Sequence, residues 1–332
     1  MLTAALRPYA VVNPRAALGK ARRLWPALYR DLARSLGVFP WDWTERPLHA
    51  STLVRASLTE GCNLIISVGG DGTLNEVVNG FLDDSGTLNS QAALAVIPCS
   101  SGGDFRRSLG LDGSPSDALA AILDGETREV DVGCLSYRSP SGERAERLFI
   151  NIASLGLSAR VNRLLRRQPS YLGGSARFFL ATIRALLGHR NERVEFDVDG
   201  EPLPTLVLNT AAVANGRFFG GGMQVAPHAL LDDSLLDLVI FGEVGFRDFL
   251  VWGPRFYRGK HLSHPRIRYR RISTVSAASS ASVLVEVDGE TVGTLPAIFS
   301  LLPRALRVRV HPGAPGLGTG GARMPREERL SR

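Results

Sequence analysis

The run Asn63-Leu64-Ile65-Ile66-Ser67-Val68 is almost continuously apolar and leads straight into Gly69-Gly70-Asp71-Gly72, after which Thr73 to Leu82 reads as a helix. An apolar run without alternation is a strand buried on both faces, as in a parallel sheet covered by helices. Two similar strands lie on either side of it in the chain. Tyr9-Ala10-Val11-Val12 ends at Asn13-Pro14 and precedes an amphipathic stretch with Leu24, Leu28, Leu32 and Leu36 at four-residue spacing; Ala93 to Ile97 ends at Pro98. Ser116 to Leu123 gives another helix, with Ser114 or Ser116 as its cap. Strand and helix therefore alternate over residues 1–132, which are expected to form an open α/β domain that binds ligands beyond the carboxyl ends of its strands.

The glycine loop stands at such an end. Glycines let a ligand approach the backbone, and the N-terminus of the following helix favours phosphate. The loop is neither a Walker A nor a GxGxxG sequence, because Asp71 lies between the glycines. A carboxylate there would repel phosphate unless a cation intervenes, so Asp71 points to Mg²⁺.

The pattern changes after Glu129-Val130-Asp131-Val132-Gly133. Runs at 193–198, 206–213, 235–241, 282–287 and 306–310 mostly alternate, which predicts an antiparallel β domain over 133–311. Two helical stretches, 159–167 and 176–187, interrupt it with a basic stripe. Residues 312–332, rich in Gly, Pro and Arg, are expected to be a disordered tail. Val-Asp-Gly-Glu occurs twice, at 198–201 and 287–290, and Asp-Gly between alternating strands is a strong hairpin signal. Pattern alone does not separate the two copies.

Composition narrows the classes. The formal charge is +7, and among 39 basic residues only Lys20 and Lys260 are lysines. Nucleic acid binding is not favoured, since the arginines are dispersed and not interleaved with aromatics. Cys62, Cys99 and Cys134 are three widely spaced thiols that suit neither a disulfide framework nor a zinc site. The apolar N-terminus is broken by Arg7 and Pro8 before a secretory core can form, and the greasy stretch near 178–187 is interrupted by Arg184 and too short to span a bilayer. These features predict a cytoplasmic chain. His49, His228 and His264 have no ligand spacing and are assigned no role.

Gly69-Gly70-Asp71-Gly72-Thr73-Leu74-Asn75-Glu76-Val77-Val78-Asn79-Gly80 resembles the nucleotide loop of the diacylglycerol kinase catalytic domain, shared with sphingosine and ceramide kinases. The resemblance extends to Asn13-Pro14 with Gly19-Lys20, to Thr44 through Ala50, to Pro98 through Phe105, to Ala214-Asn215-Gly216 with Gly220 to Gly222, to Ala226 through Asp237, and to Val287-Asp288-Gly289-Glu290. It implies a phosphofructokinase-like nucleotide domain followed by a β-sandwich. It also implies that Asn13, Thr44, Gly70, Asp71, Gly72, Thr73, Leu74, Asn75, Glu76 and Ser101 contact ATP or its Mg²⁺. A second, structural metal is implied on Asp233 and the carbonyls of Leu230 and Leu235. The resemblance selects the second Val-Asp-Gly-Glu copy, making Asp288 the base and Glu290 its orienting partner or alternative.

The implied activity is ATP- and Mg²⁺-dependent phosphorylation of a lipid hydroxyl, diacylglycerol first, by a chain lying peripherally on the anionic inner face of the membrane. Leu164-Leu165 and Phe178-Phe179-Leu180 are the expected contact. Alternatives are another lipid such as a sphingoid base or phosphatidylglycerol, a soluble acceptor such as NAD, or a non-catalytic regulator that binds nucleotide or lipid. The sequence leaves open whether the chain forms a homodimer. It departs from the family pattern at Ser100, Gly103 and Ser234, and its first loop has four residues between Pro14 and Gly19 where two are usual.

Overall fold

The computed structural model describes residues 5–99, 103–111, 113–165, 174–187 and 189–318. The chain divides into two compact units, one of residues 1–130 with 304–317, the other of 131–303 with 318–332. The first boundary lies close to the expected 132/133. Residues 304–317 pack with the first unit, although they lie largely within the expected second domain, 133–311.

The first unit contains β1 (Pro8–Val12), α1 (Ala16–Leu36), β2 (Trp41–Trp43), α2 (His49–Thr59), β3 (Leu64–Gly69), α3 (Asp71–Asn79), β4 (Ala93–Pro98), α4 (Asp104–Ser108) and α5 (Pro115–Leu123). β1, β3 and β4 are almost wholly buried, as their unbroken apolar sequence requires. They pair in parallel in the order β4-β3-β1-β2. Trp25, Leu28 and Leu32 of α1 pack on one face of this sheet with Val12, Ile66 and Val68. α5 starts at Pro115, with the Ser114 hydroxyl accepting the Asp117 amide at 3.1 Å, which settles the choice of cap.

Residues 304–310 add to the sheet beside β4, in parallel, with Arg307 opposite Ala93. Leu306, Val308 and Val310 are buried there, while the Arg309 guanidinium reaches the Ile122 carbonyl at 2.8 Å, close to the negative end of α5. Ala314 and Leu317 are also buried, so residues 312–318 are ordered rather than part of a disordered tail. Residues 319–332 lie outside the described residues.

The second unit contains β5 (Glu126–Arg138), β6 (Arg144–Phe149), β7 (Ile152–Gly156), α6 (Leu157–Leu165), α7 (Gly174–Leu186), β8 (Glu192–Val198), β9 (Glu201–Pro202), β10 (Leu206–Leu208), β11 (Thr210–Ala214), β12 (Phe218–Phe219), β13 (Met223–Gln224), β14 (Leu236–Phe241), α8 (Phe246–Tyr257), β15 (Ile267–Ile272), β16 (Thr274–Ala278), β17 (Leu284–Val287) and β18 (Glu290–Val310). β5 and β18 run across the division of the chain. One antiparallel set runs β15-β14-β11-β7-β17, and another joins β16 to β8 and β8 to β10. The sandwich core lies between them, filled by residues such as Leu155, Phe196, Leu238 and Phe299.

The expected strand 206–213 is two strands. β10 pairs with β8 and β11 with β7 and β14, and the chain changes sheet at Asn209. Such corners let one strand serve both sheets of a sandwich. β11 and β14 are buried on both sides because helices cover their outer face. Ala211, Val213, Leu236, Leu238 and Ile240 face the sandwich core. Ala212, Ala214, Val239 and Phe241 face a second core with α6, α7 and α8.

Candidate active site

In the first unit, the chain runs from β1 outward to β2 and then back across to β3 and β4, so the direction of winding reverses between β1 and β3. Ligands of open α/β sheets bind at this reversal, beyond the carboxyl ends. The loops there are tied together. Asn13 N donates to the Val68 carbonyl and Thr44 N to the Val12 carbonyl, both at 2.9 Å, while Asn13 Nδ2 donates to Thr73 Oγ1 at 2.9 Å. Gly70 precedes α3 with no side-chain cap, so the helix presents its first amides at the loop. A Cβ on Gly69 would lie 2.6 Å from Thr73 Oγ1, so this turn requires glycine.

The structure separates the expected nucleotide residues into two groups. Asn13, Thr44, Gly70, Asp71, Gly72 and Thr73 gather at the reversal. Leu74 and Asn75 are buried, and Glu76 accepts the Ala50 amide at 3.3 Å, serving the start of α2. These three build the helix that presents the loop. Ser101 lies outside the described residues.

Asp71 Oδ2 accepts the Asp104 amide at 3.0 Å, which couples the glycine loop to the start of α4. Burial pushes its carboxyl above the ordinary value, while the Asp104 and Phe105 amides and the charges of Arg106 and Arg107 draw it back. A carboxylate offers about four lone-pair sites. A desolvated carboxylate with lone pairs left over is a fitting ligand for a hard divalent cation.

Lys20 follows a strained turn. Ala17, Leu18 and Gly19 all have left-handed backbone, with φ of 48°, 58° and 81°. The long first loop is thus accommodated as a tight turn that leaves Leu18 74% exposed. Burial raises the Cys99 thiol, and the Lys20 charge partly offsets this.

In the second unit, both Val-Asp-Gly-Glu copies are hairpin turns with positive φ at Asp and Gly, as a type I′ turn requires. In both, the Asp carboxylate accepts backbone amides. Asp199 takes those of Ser273 and Thr274 at 2.8 and 2.9 Å. Asp288 takes those of Ile150, Asn151 and Ile152 at 3.1, 3.1 and 2.9 Å. Their surroundings differ. Asn151 also donates through Nδ2 to the Phe218 carbonyl at 2.9 Å, and the next residue, Phe219, lines a cavity.

That cavity lies among α6, α7, α8 and the outer face of the sheet, with about 70 Å³ open to a water-sized sphere. Val161, Phe178, Phe241 and Phe256 line it, among others. Its few polar side chains are turned into the protein. Thr182 donates to the Phe178 carbonyl at 2.8 Å, Thr210 to the Leu155 carbonyl at 2.7 Å, and Ser158 bonds Ser154 at 2.8 Å. Phe178, expected at a membrane surface, is buried in this lining, whereas Phe179 is 37% exposed. Leu164 and Leu165 are half-buried against the same core.

Glu286 was not singled out from the sequence. It is buried one strand position from the Asp288 turn, and its carboxyl is pushed up to about 7 by burial, against hydrogen bonds from Asn162 and Ser154 and with help from the charges of Asp288 and Glu290. A lone carboxylate between apolar residues, as in Val285-Glu286-Val287, is the signal that could have found it. The same signal marks Asp131 and Asp237.

The resemblance implies a structural metal at the turn of residues 230–235, on Asp233 and the carbonyls of Leu230 and Leu235. Asp233 Oδ1 accepts the Leu235 amide at 3.1 Å, and its other oxygen is ion-paired with the Arg271 guanidinium.

A parallel-sheet unit with a glycine loop at its reversal point, followed by a β-sandwich, has the architecture of a two-domain kinase. Residues 7–135 match the diacylglycerol kinase catalytic domain, and residues 151–310 match the YegS C-terminal NAD kinase beta sandwich-like domain. A diacylglycerol kinase of Bacillus subtilis (strain 168) is 31% identical over 294 residues, covering 84% of this chain and 90% of its own. A diacylglycerol kinase of Staphylococcus saprophyticus is 28% identical, covering 80% and 82%. A crystal structure of a diacylglycerol kinase from Bacillus anthracis str. Sterne has the same fold, with a TM-score of 0.71 at 22% identity over 94% of this chain and 99% of that one. The chain belongs to the diacylglycerol kinase catalytic-domain family and is a kinase of its lipid-kinase group. No helix among the described residues is long and apolar enough to cross a membrane.

Proposed function

We propose that the chain uses ATP and Mg²⁺ to phosphorylate a lipid hydroxyl, with diacylglycerol as acceptor and phosphatidic acid as product. The observation that carries the lipid reading is the apolar cavity of the second unit, whose polar side chains face away from its interior. It suits acyl chains, whereas NAD would need polar groups directed inward. The names of the relatives support a diacylglycerol acceptor.

In this reading the amides of Gly70, Gly72 and Thr73 and the start of α3 hold the phosphates. Asp71 holds Mg²⁺, which when bound neutralises phosphate charge. Lys20 adds the positive charge that the Walker-type lysine supplies elsewhere. Asp288 accepts the proton of the attacking hydroxyl. Three backbone amides hold its carboxylate in place. A loose phosphoryl-transfer transition state asks more of positioning than of base strength. Glu290, half-buried at the same turn, orients the hydroxyl. Peripheral contact with an anionic bilayer would use the exposed Phe179, Leu187 and Val251, with Arg184 nearby in sequence on α7.

The test is transfer of labelled γ-phosphate from ATP to diacylglycerol in mixed micelles, with NAD as a parallel acceptor. Label is expected in phosphatidic acid. Asp288→Asn is expected to lower kcat by roughly 10²-fold or more with the fold retained. Label entering NAD but no lipid would refute the reading, and an Asp288→Asn variant of full activity would remove that residue from the mechanism.

A further inference from the structure

α6 stands between the apolar cavity and the Asp288 turn. Leu157, Ser158 and Val161 of this helix line the cavity. Ala159 and Asn162, on the adjoining face, meet the hairpin that carries the turn. Each strand of that hairpin grips the helix. Before the turn, Glu286 of β17 accepts hydrogen bonds from the side chains of Asn162 and Ser154. After it, Thr291 of β18 donates to the Ala159 carbonyl at 3.4 Å.

Strand pairing sets Glu286 opposite Ser154 of β7. Ser154 also bonds Ser158 of the cavity wall at 2.8 Å, and Ser158 lies one helical turn before Asn162. β7 starts at Ile152, whose amide donates to Asp288 Oδ1 at 2.9 Å. Glu286 thus joins three elements: α6 through Asn162, β7 through Ser154, and β17 through its own backbone. It is 3% exposed and Ser154 is fully buried. A carboxyl is costly to remove from water, and apolar packing alone would let α6 turn or slide on the sheet; directed bonds in a buried network fix its register.

We propose that Glu286 is a positioning residue for the acceptor, tying α6 to the Asp288 hairpin so that a chain seated along α6 presents its hydroxyl at Asp288. This rests on reading the cavity as the acyl site and Asp288 as the base. With the tie cut, the hydroxyl meets Asp288 less often and water competes for the phosphoryl group, so that ATP and water give ADP, inorganic phosphate and a proton.

The test follows labelled γ-phosphate into phosphatidic acid and into inorganic phosphate while diacylglycerol in mixed micelles and ATP are varied in turn. Asn162→Ala removes one donor and leaves Glu286 and Ser154 in place. It should raise KM for diacylglycerol about fivefold, lower kcat about tenfold and increase the share of ATP lost to water, with KM for ATP unchanged. Glu286→Ala should do the same or more, and Glu286→Gln, which can still accept the Asn162 amide, should recover most of the loss. Adding Asn162→Ala to Glu286→Ala should have little further effect, because both cut the same tie. A purely structural role would lower kcat through a smaller active fraction and leave both KM values and the ratio of phosphatidic acid to inorganic phosphate as in wild type. That result, or a Glu286→Gln variant as impaired as Glu286→Ala, overturns the inference. If Glu286→Ala does not fold, Asn162→Ala decides it. Wild type and Asp288→Asn, assayed alongside, report on the underlying reading: its failure shows as no phosphatidic acid from wild type or as full activity of Asp288→Asn, whereas failure of this inference shows only in the Asn162 and Glu286 variants.

Discussion

Glu286 links the stability of the second unit to pH, and replacing it by glutamine isolates that link. Its carboxyl moves from 4.5 to about 7 on folding, mainly because burial disfavours the charged form. Between those values the folded chain binds a proton that the unfolded chain has released. The contribution is therefore fully present below about pH 4.5 and is lost as pH rises through about 7. At ~1.4 kcal/mol per pH unit, the full effect is roughly 3.5 kcal/mol, which corresponds to about 7–14 °C in Tm for a unit of this size. Glutamine keeps the shape and can still accept hydrogen bonds from Asn162 and Ser154, but it does not ionise. Unfolding of the second unit, followed by near-UV circular dichroism at pH 5.5 and pH 8, should show wild type losing stability over this interval with Glu286→Gln nearly level. The variant should be the more stable of the two at pH 8. Because Asp288 and Glu290 also raise the Glu286 carboxyl, Asp288→Asn should move the wild-type midpoint to lower pH. Parallel pH curves for wild type and Glu286→Gln would refute the assignment.

His261 acts in the opposite sense. It is buried beside Phe241 and Phe256 with its pKa lowered to about 4, so the stability it contributes is present above about pH 6.5 and lost as pH falls toward 4; His261→Gln should flatten the acid limb of a Tm–pH curve. Gly69→Ala puts a Cβ against Thr73, which Asn13 holds in place, and should weaken ATP binding tenfold or more by calorimetry while circular dichroism stays unchanged. Leu18→Gly removes an exposed side chain from a left-handed position and should stabilise the first unit by up to about 1 kcal/mol, read as a higher urea midpoint. Val161→Phe narrows the cavity and should leave activity on dioctanoyl glycerol near normal while long-chain diacylglycerol loses most of its turnover.

The parts of the chain legible in the sequence were those whose periodicity has one physical cause. β3 and its glycine loop could be read because a strand covered on both faces must be apolar throughout, and the reversal of winding fixes where a ligand goes. The same reasoning misassigned residues 304–310. They alternate because Leu306, Val308 and Val310 are buried while Arg307 and Arg309 are only partly so, yet they pair in parallel with β4 of the first unit. Alternation reports which faces are covered, not the direction of the neighbouring strand. The cavity had no signature at all, since Val161, Phe178, Phe241 and Phe256 look like ordinary core residues one at a time and enclose space only when α6, α7 and α8 close over β11 and β14. Arg271 was hidden in another way: within Arg268-Tyr269-Arg270-Arg271 it reads as one more surface charge. Pairing with β14 sets it opposite Asp237 and buries it. The two Val-Asp-Gly-Glu turns show the limit most clearly, because their backbones and amide-bound aspartates are alike. What distinguishes Asp288 is Asn151, which holds it through a backbone amide and donates through its side chain to the Phe218 carbonyl, next to Phe219 of the cavity lining. A local motif therefore supplies the turn, and a residue more than a hundred positions away gives one copy its chemical setting.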